Sequence, residues 1–186
     1  MIQNYRSPLR AMVFSALFTT LIIVGSYISI PLPFSPIPIV LSDFFVMLAG
    51  LLLGASWGMA SVGLFLLAGL IGLPVFAGGK AGLAVFFGPT GGYLIGYLLG
   101  AFVIGYISNL GKRRSVIKEF IALILGNLLF FATGVPWLKV FLKLTWGKSI
   151  LLGLLPFVIG NIIKIIAAVI LSRFLRAILK HDKNLE

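Results

Sequence analysis

The sequence predicts an all-α integral membrane protein, a bundle of six transmembrane helices with both termini cytoplasmic. Three observations carry this prediction. Of the 186 residues, 60% are hydrophobic and only 10% are charged, whereas soluble domains average about 25% charged. Mean hydropathy is +1.16, which leaves no room for a sizeable water-soluble domain, so residues 1–186 are read as a single membrane domain. Prolines and short polar breaks divide the chain into six apolar stretches, each near the roughly 20 residues that cross about 30 Å of hydrocarbon.

The first stretch, 8–30, follows Arg6 and Arg10. That start resembles a signal peptide, but no small-residue cleavage site follows, so it is expected to stay as the first span. Pro31, Pro33, Pro36 and Pro38 bracket the first connection, because proline removes a backbone donor and marks helix ends. The second and third stretches, 37–54 and 57–73, meet at "GASWG" with almost no loop, and both are near the short limit. Pro74 and Pro89 enclose the connection to the fourth stretch, 90–109, and the fifth is 116–134. The sixth, 156–176, starts at Pro156, which suits a first helical turn where its missing N–H would have no partner. The same helix is expected to run on to about residue 180 through a basic stripe. Between the last two spans, "GVPWLKVFLKLTWGKSILLGLL" carries Trp137 and Trp146 with Lys139 and Lys143 four apart. This predicts an amphipathic helix at the outer interface, its tryptophans serving as belt anchors or as a ligand lid.

The net charge of +11 comes from fifteen basic residues against Asp43, Glu119, Asp182 and Glu186. Most of the excess flanks apolar stretches, where topology and anionic lipid explain it better than nucleic acid. The clusters Arg6/Arg10, Lys112/Arg113/Arg114/Lys118 and Arg173/Arg176/Lys180/Lys183 fall on one face of a six-span bundle, the cytoplasmic one. Lys80, Lys139, Lys143 and Lys148 are left on the outer face. With no cysteine, thiolate chemistry is excluded, and the single histidine, His181 beside Asp182, excludes a histidine-rich metal site. No cofactor is expected. Lys80 is followed by Ala81 rather than Ser or Thr, so the glycine-rich segment is no phosphate loop. No cluster of acids, histidines and nucleophile suggests an enzyme, and no internal repeat suggests an autonomous secondary transporter.

The candidate site residues lie in three places. "GLLPFVIGNIIKIIAAVI" (153–170) carries Asn161 and Lys164, three apart and so on one helix face, with Lys164 about 12 Å from the helix start. A lysine at the bilayer centre costs roughly 2.5–3.5 kcal/mol. It either snorkels outward or faces the interior, where an anionic ligand supplies its counter-charge. Asp43 is the one nearby acid able to pair with it instead. "GLPVFAGGKAGLAVFFGPTGGY" (72–93) admits two readings as well: glycines for sharp turns and close helix approach, or Gly78, Gly79 and Gly82 letting backbone groups line a cavity. On the first span, Ala11, Ser15 and Thr19, with Ala16 and Thr20 alongside, let another helix approach closely, either inside the bundle or from a partner. Asn127 is an interior polar group or a helix–helix hydrogen bond.

Taken together, "PLPFSPIPIVL", "GLPVFAGG", "GPTGGYLIGY", "GVPWL" and "LLPFVIGNIIK", in this order, resemble the BioY family, the biotin-specific substrate-binding (S) components of energy-coupling factor transporters. The resemblance covers nearly the whole chain. It implies a six-helix bundle in a prokaryotic plasma membrane that captures biotin from outside. It also implies docking, through the small residues of the first span, on a transmembrane coupling protein powered by two ATPase subunits. By the same resemblance Lys164 meets the biotin carboxylate or another polar group in the pocket. Asn161 stands where the family usually has Asp, facing the ureido group. A carboxylate accepts two ureido N–H donors with charge assistance, whereas an amide offers one acceptor oxygen and adds a donor. Gly78, Gly79 and Lys80 of the glycine segment and the rings of Phe76, Tyr93 and Trp137 complete the candidate pocket.

Overall fold

The computed structural model describes residues 8–111 and 115–181, with side chains through residue 178. Arg6, Lys112, Arg113, Arg114, Asp182, Lys183 and Glu186 lie outside the described residues, as do the side chains of Lys180 and His181. The chain is mostly helical. Helix α1 (Pro8–Tyr27) leads into an antiparallel ribbon of β1 (Ser29–Leu32) and β2 (Ser35–Val40), followed by α2 (Ser42–Leu53) and α3 (Ala55–Leu70). A loop containing the short helix α4 (Leu83–Phe86) precedes α5 (Gly91–Ser108) and α6 (Val116–Leu142). The short α7 (Trp146–Gly153) then turns the chain into α8 (Leu155–His181).

Proline decides where the first helices stop. The stretch 37–54, expected as one span, divides into the end of β2 and α2. Pro36 and Pro38 lack an N–H and disfavour helical torsions in the residues before them. A two-stranded ribbon has free edges on which proline costs no ladder bond. Ser29 pairs with Val40 and Ile30 with Ile39, and the register shifts before Leu32 meets Ser35.

Four helices, α1, α5, α6 and α8, are long and apolar enough to cross a membrane. The remaining two of the expected six are shorter: α2 has 12 residues and α3 has 16, about 18 and 24 Å at 1.5 Å per residue. Helix α2 is apolar on every side, which suits a helix surrounded by others. Val46, Met47, Ala49 and Leu51 have no accessible surface, and α1, α3, α5 and α8 all pack on it. Gly54, at φ 84°, makes the abrupt turn from α2 to α3 that a side chain would resist.

Helices α5 and α6 form the most extensive helix pair. Gly92, Gly96 and Gly100 recur every four residues on α5 and meet Trp137, Thr133 and Phe130 of α6. Small residues let two backbones close together in an apolar setting. Helix α6 continues past the expected 134 boundary, through Pro136, and ends where Lys143 adopts a left-handed conformation with φ 53°. The stretch 134–155 is therefore not one amphipathic helix but the last turns of α6, a turn, and α7. Thr145 caps α7 by accepting from Lys148 N at 3.4 Å, and the Lys139 ammonium sits 5.0 Å from the Trp146 ring centroid.

The two ends of the bundle differ in kind. At one end the ribbon, the loop 71–90 and α7 close over the helices, with Ser35 Oγ donating to Leu152 O at 2.8 Å. At the other, Glu119 is 1% exposed and accepts from Arg173 Nε at 3.3 Å and from Arg176 Nη1. Arg176 also donates to Leu51 O at the end of α2.

Candidate ligand-binding site

Beneath the ribbon and the loop lies a cavity of about 230 Å³. Its walls come from β2, the starts of α2 and α5, the loop, and α3, α6 and α8. Seven of the lining residues are aromatic. Phe65 and Phe76 meet edge to face at 5.5 Å, Tyr97 and Phe130 at 5.0 Å, and Tyr93 and Phe131 at 6.3 Å. Such edge contacts fix ring positions and leave a shaped apolar wall, the usual lining of a small-molecule pocket with a few convergent polar groups.

The loop that roofs the cavity is tied down at several points. Phe76 N donates to Lys80 O and Gly79 N to Phe76 O, both at 2.9 Å, while Gly82 N donates to Gly69 O at 2.8 Å. Ser26 and Tyr27, at the end of α1, donate to Val75 O and Pro74 O. Gly78, Gly79 and Gly82 have φ of 69°, 77° and 85°, torsions that only glycine adopts freely. The Phe76 ring fits against Gly69, where a Cβ would fall 2.1 Å from its Cζ.

The polar groups of the lining fall into two sets. Most are already satisfied within the fold: Tyr93 donates to Gly153 O at 2.7 Å, Thr90 to Val85 O at 3.3 Å, and Ser26 to Val75 O. Asp43 accepts from Phe44 N at 2.8 Å and pairs with Lys164 at 2.8 Å. Two are not. Asn161 is 7% exposed and lines the cavity, yet its amide has no hydrogen-bond partner among the described residues. Lys80, exposed at the rim, likewise has no partner for its ammonium among them. The Asn161 amide therefore opens on the cavity rather than onto a protein partner.

The sequence-predicted residues are thus partly brought together. Phe76, Lys80, Tyr93 and Asn161 line the cavity. Gly78 and Gly79 shape the roof without lining it, and Trp137 faces elsewhere, donating to Gly88 O at 2.8 Å to brace the entry to α5. Lys164 lies one turn beyond Asn161 on α8. Its ammonium donates to Val40 O at 2.7 Å and to both Asp43 oxygens at 2.8 Å. All three of these acceptors lie inside the protein. The counter-charge of Lys164 is therefore internal.

Sequence reasoning missed Tyr97, Phe65, Phe130, Phe131 and Phe157 as lining residues. Tyr97 stands four residues after Tyr93 on one helix face, a spacing that would have found it. The phenylalanines carry no signal that separates a cavity wall from ordinary core.

On α1 the small residues divide by face. Ala11 and Ser15 are buried against α3, where Ser15 Oγ meets Ser61 Oγ at 3.0 Å and Thr19 Oγ1 donates to Ser61 O at 2.9 Å. Ala16 and Thr20 are exposed beside Met12, Val13 and Leu17. Asn127, buried between α6 and α2, directs its amide nitrogen to Met47 Sδ at 3.2 Å, and its Oδ1 has no partner among the described residues.

Comparison with known proteins places the chain in a family. Residues 1–181 match the BioY family. The chain belongs to the BioY family. Among BioY relatives, a biotin transporter BioY from Thermotoga maritima is 40% identical over 164 residues, covering 88% of this chain and 94% of the relative. A probable biotin transporter BioY from Pyrococcus horikoshii is 38% identical, covering 87% and 93%. In three dimensions the chain is similar to a crystal structure of the S-component for biotin from an ECF-type ABC transporter. That match has a TM-score of 0.86 and 36% identity and covers 94% of each chain. All three BioY-like proteins are named as transporters or as a transporter component, and none as an enzyme.

Proposed function

We propose that this chain is the S component of an ECF-type vitamin transporter and captures biotin in the aromatic cavity beneath its ribbon. The observation that carries this reading is the amide of Asn161, a buried residue with no partner for it among the described residues, at the wall of a hollow bearing seven aromatic rings. A bicyclic guest with a cyclic urea suits that wall: its apolar faces meet the rings, and its N–H and C=O groups meet the amide. Membership of the BioY family and the likeness to a biotin S-component support the same ligand.

In this reading α2 and α3 complete six spans despite their shortness, with both termini cytoplasmic and the ribbon end facing outward in a prokaryotic plasma membrane. The positive-inside rule supports that orientation, since Arg173 and Arg176 lie at the end opposite the ribbon. Transport is energised by a transmembrane coupling protein with two ATPase subunits, which dock on the exposed side of α1 around Ala16 and Thr20. Membrane lipid surrounds the rest.

Equilibrium binding of labelled biotin to the purified, detergent-solubilised protein tests the proposal. Saturable binding displaced by unlabelled biotin, and not by other vitamins, is the expected result. An asparagine at position 161 reads a different donor pattern from an aspartate. Preferential displacement by another small anionic vitamin would therefore reassign the ligand, and no saturable binding of any would overturn the reading.

A further inference from the structure

We infer that Lys80, and not Lys164, reads the anionic end of the ligand, so that the guest lies with its neutral polar head at Asn161 and its carboxylate at the rim. The inference rests on the proposed ligand site and follows from charge accounting around the cavity. Two ionisable carboxylate or ammonium groups line it, Asp43 and Lys80. Asp43 is neutralised by Lys164 at 2.8 Å, and the Lys164 ammonium is already engaged by Val40 O and the two Asp43 oxygens. The inner wall is therefore electrically balanced. Lys80 is the cavity-lining charge without a partner among the described residues.

Its backbone is suited to that task. Phe76 N donates to Lys80 O at 2.9 Å, and Lys80 itself has extended torsions, φ −74° and ψ 159°, which any residue adopts. The side chain can thus be exchanged without disturbing the turn that carries it. Two groups of the lining then differ in polarity: the neutral amide of the buried Asn161 and the cation of the exposed Lys80. A ligand with a neutral head and a carboxylate tail fits in one orientation only. Burying the carboxylate at Asn161 would leave it without a counter-charge.

The test compares biotin with its uncharged primary amide on the full-length protein. Wild-type protein is expected to bind biotin more tightly than the amide by about five- to tenfold, the range of a charge-assisted bond at a solvated rim. That preference should shrink as ionic strength rises. Lys80→Gln should lose the preference by weakening biotin while leaving the amide unchanged, and Lys80→Arg should keep it. Retained preference in Lys80→Gln would overturn the inference, as would equal weakening of both ligands, which would mean that Lys80 acts on the loop rather than on charge. Failure of both ligands to bind the wild type would instead overturn the proposed function.

Discussion

Lys164 and Asp43 are joined across 121 residues of sequence and hold the start of α2 against the middle of α8. Removing one member of a buried pair strands the other charge and costs about 3–5 kcal/mol, while replacing both with neutral groups is often nearly neutral. Lys164→Met and Asp43→Asn should each lower the unfolding midpoint in detergent, and the double variant should recover most of the loss. Effects that simply add would mean the two groups are not coupled. Asn161→Leu, close in volume but without hydrogen bonds, should weaken biotin by roughly tenfold or more while leaving the unfolding midpoint in place or raising it. A lysine three residues from an asparagine was legible in the sequence as a polar face on an apolar helix. Asp43 was legible as the one acid able to pair with it, but not that the pair forms, since Asp43 lies six helices earlier and only the packing of α2 on α8 brings it near.

At the scale of the element, the helices that read most clearly were those whose apolar runs are long and ended by proline or charge, namely α1, α5 and α8. The ribbon was hidden because four prolines in a short stretch mark a helix end equally well whether the chain turns loosely or extends into strands. The reach of α6 was hidden by Pro136, which ordinarily stops a helix but is tolerated where neighbouring protein stabilises the freed carbonyl. The two small-residue stripes of α1 could not be separated without a structure, since both have four-residue spacing. Now they make opposite predictions. Ser15→Phe, at a position 2% exposed, should destabilise the solitary protein, because overpacking a filled contact costs typically 1–3 kcal/mol. Ala16→Phe, on the exposed face, should leave biotin binding intact and reduce recovery of the coupling complex by affinity purification. Normal recovery would remove that face of α1 from the docking surface.

Across the whole molecule, apolar composition and basic clusters were enough to anticipate a membrane-embedded helical bundle, and no arithmetic on the sequence could have located the hollow. A cavity is what remains when rings from five different segments fail to fill a space, and that depends on every crossing at once. Ion pairs occupy both ends of α2. Near its start Asp43 holds Lys164, and near its end Leu51 O receives Arg176, which also binds Glu119. Glu119→Gln should lower thermal stability through the loss of the charged partner for Arg176, and biotin affinity should be unaffected because the change lies at the far end. A shift in affinity as large as that from Asn161→Leu would mean that the two ends are coupled.

Helix α8 is fastened to α2 at two levels, about 18 Å apart along α8 from Lys164 to Arg176. Neither rod can slide along or swing from the other without exposing a charge to hydrocarbon. The proline ribbon and the glycine roof are held by hydrogen bonds rather than by ion pairs of their own, so they are the parts expected to yield when a guest enters the hollow, with the two riveted helices as the frame of the doorway.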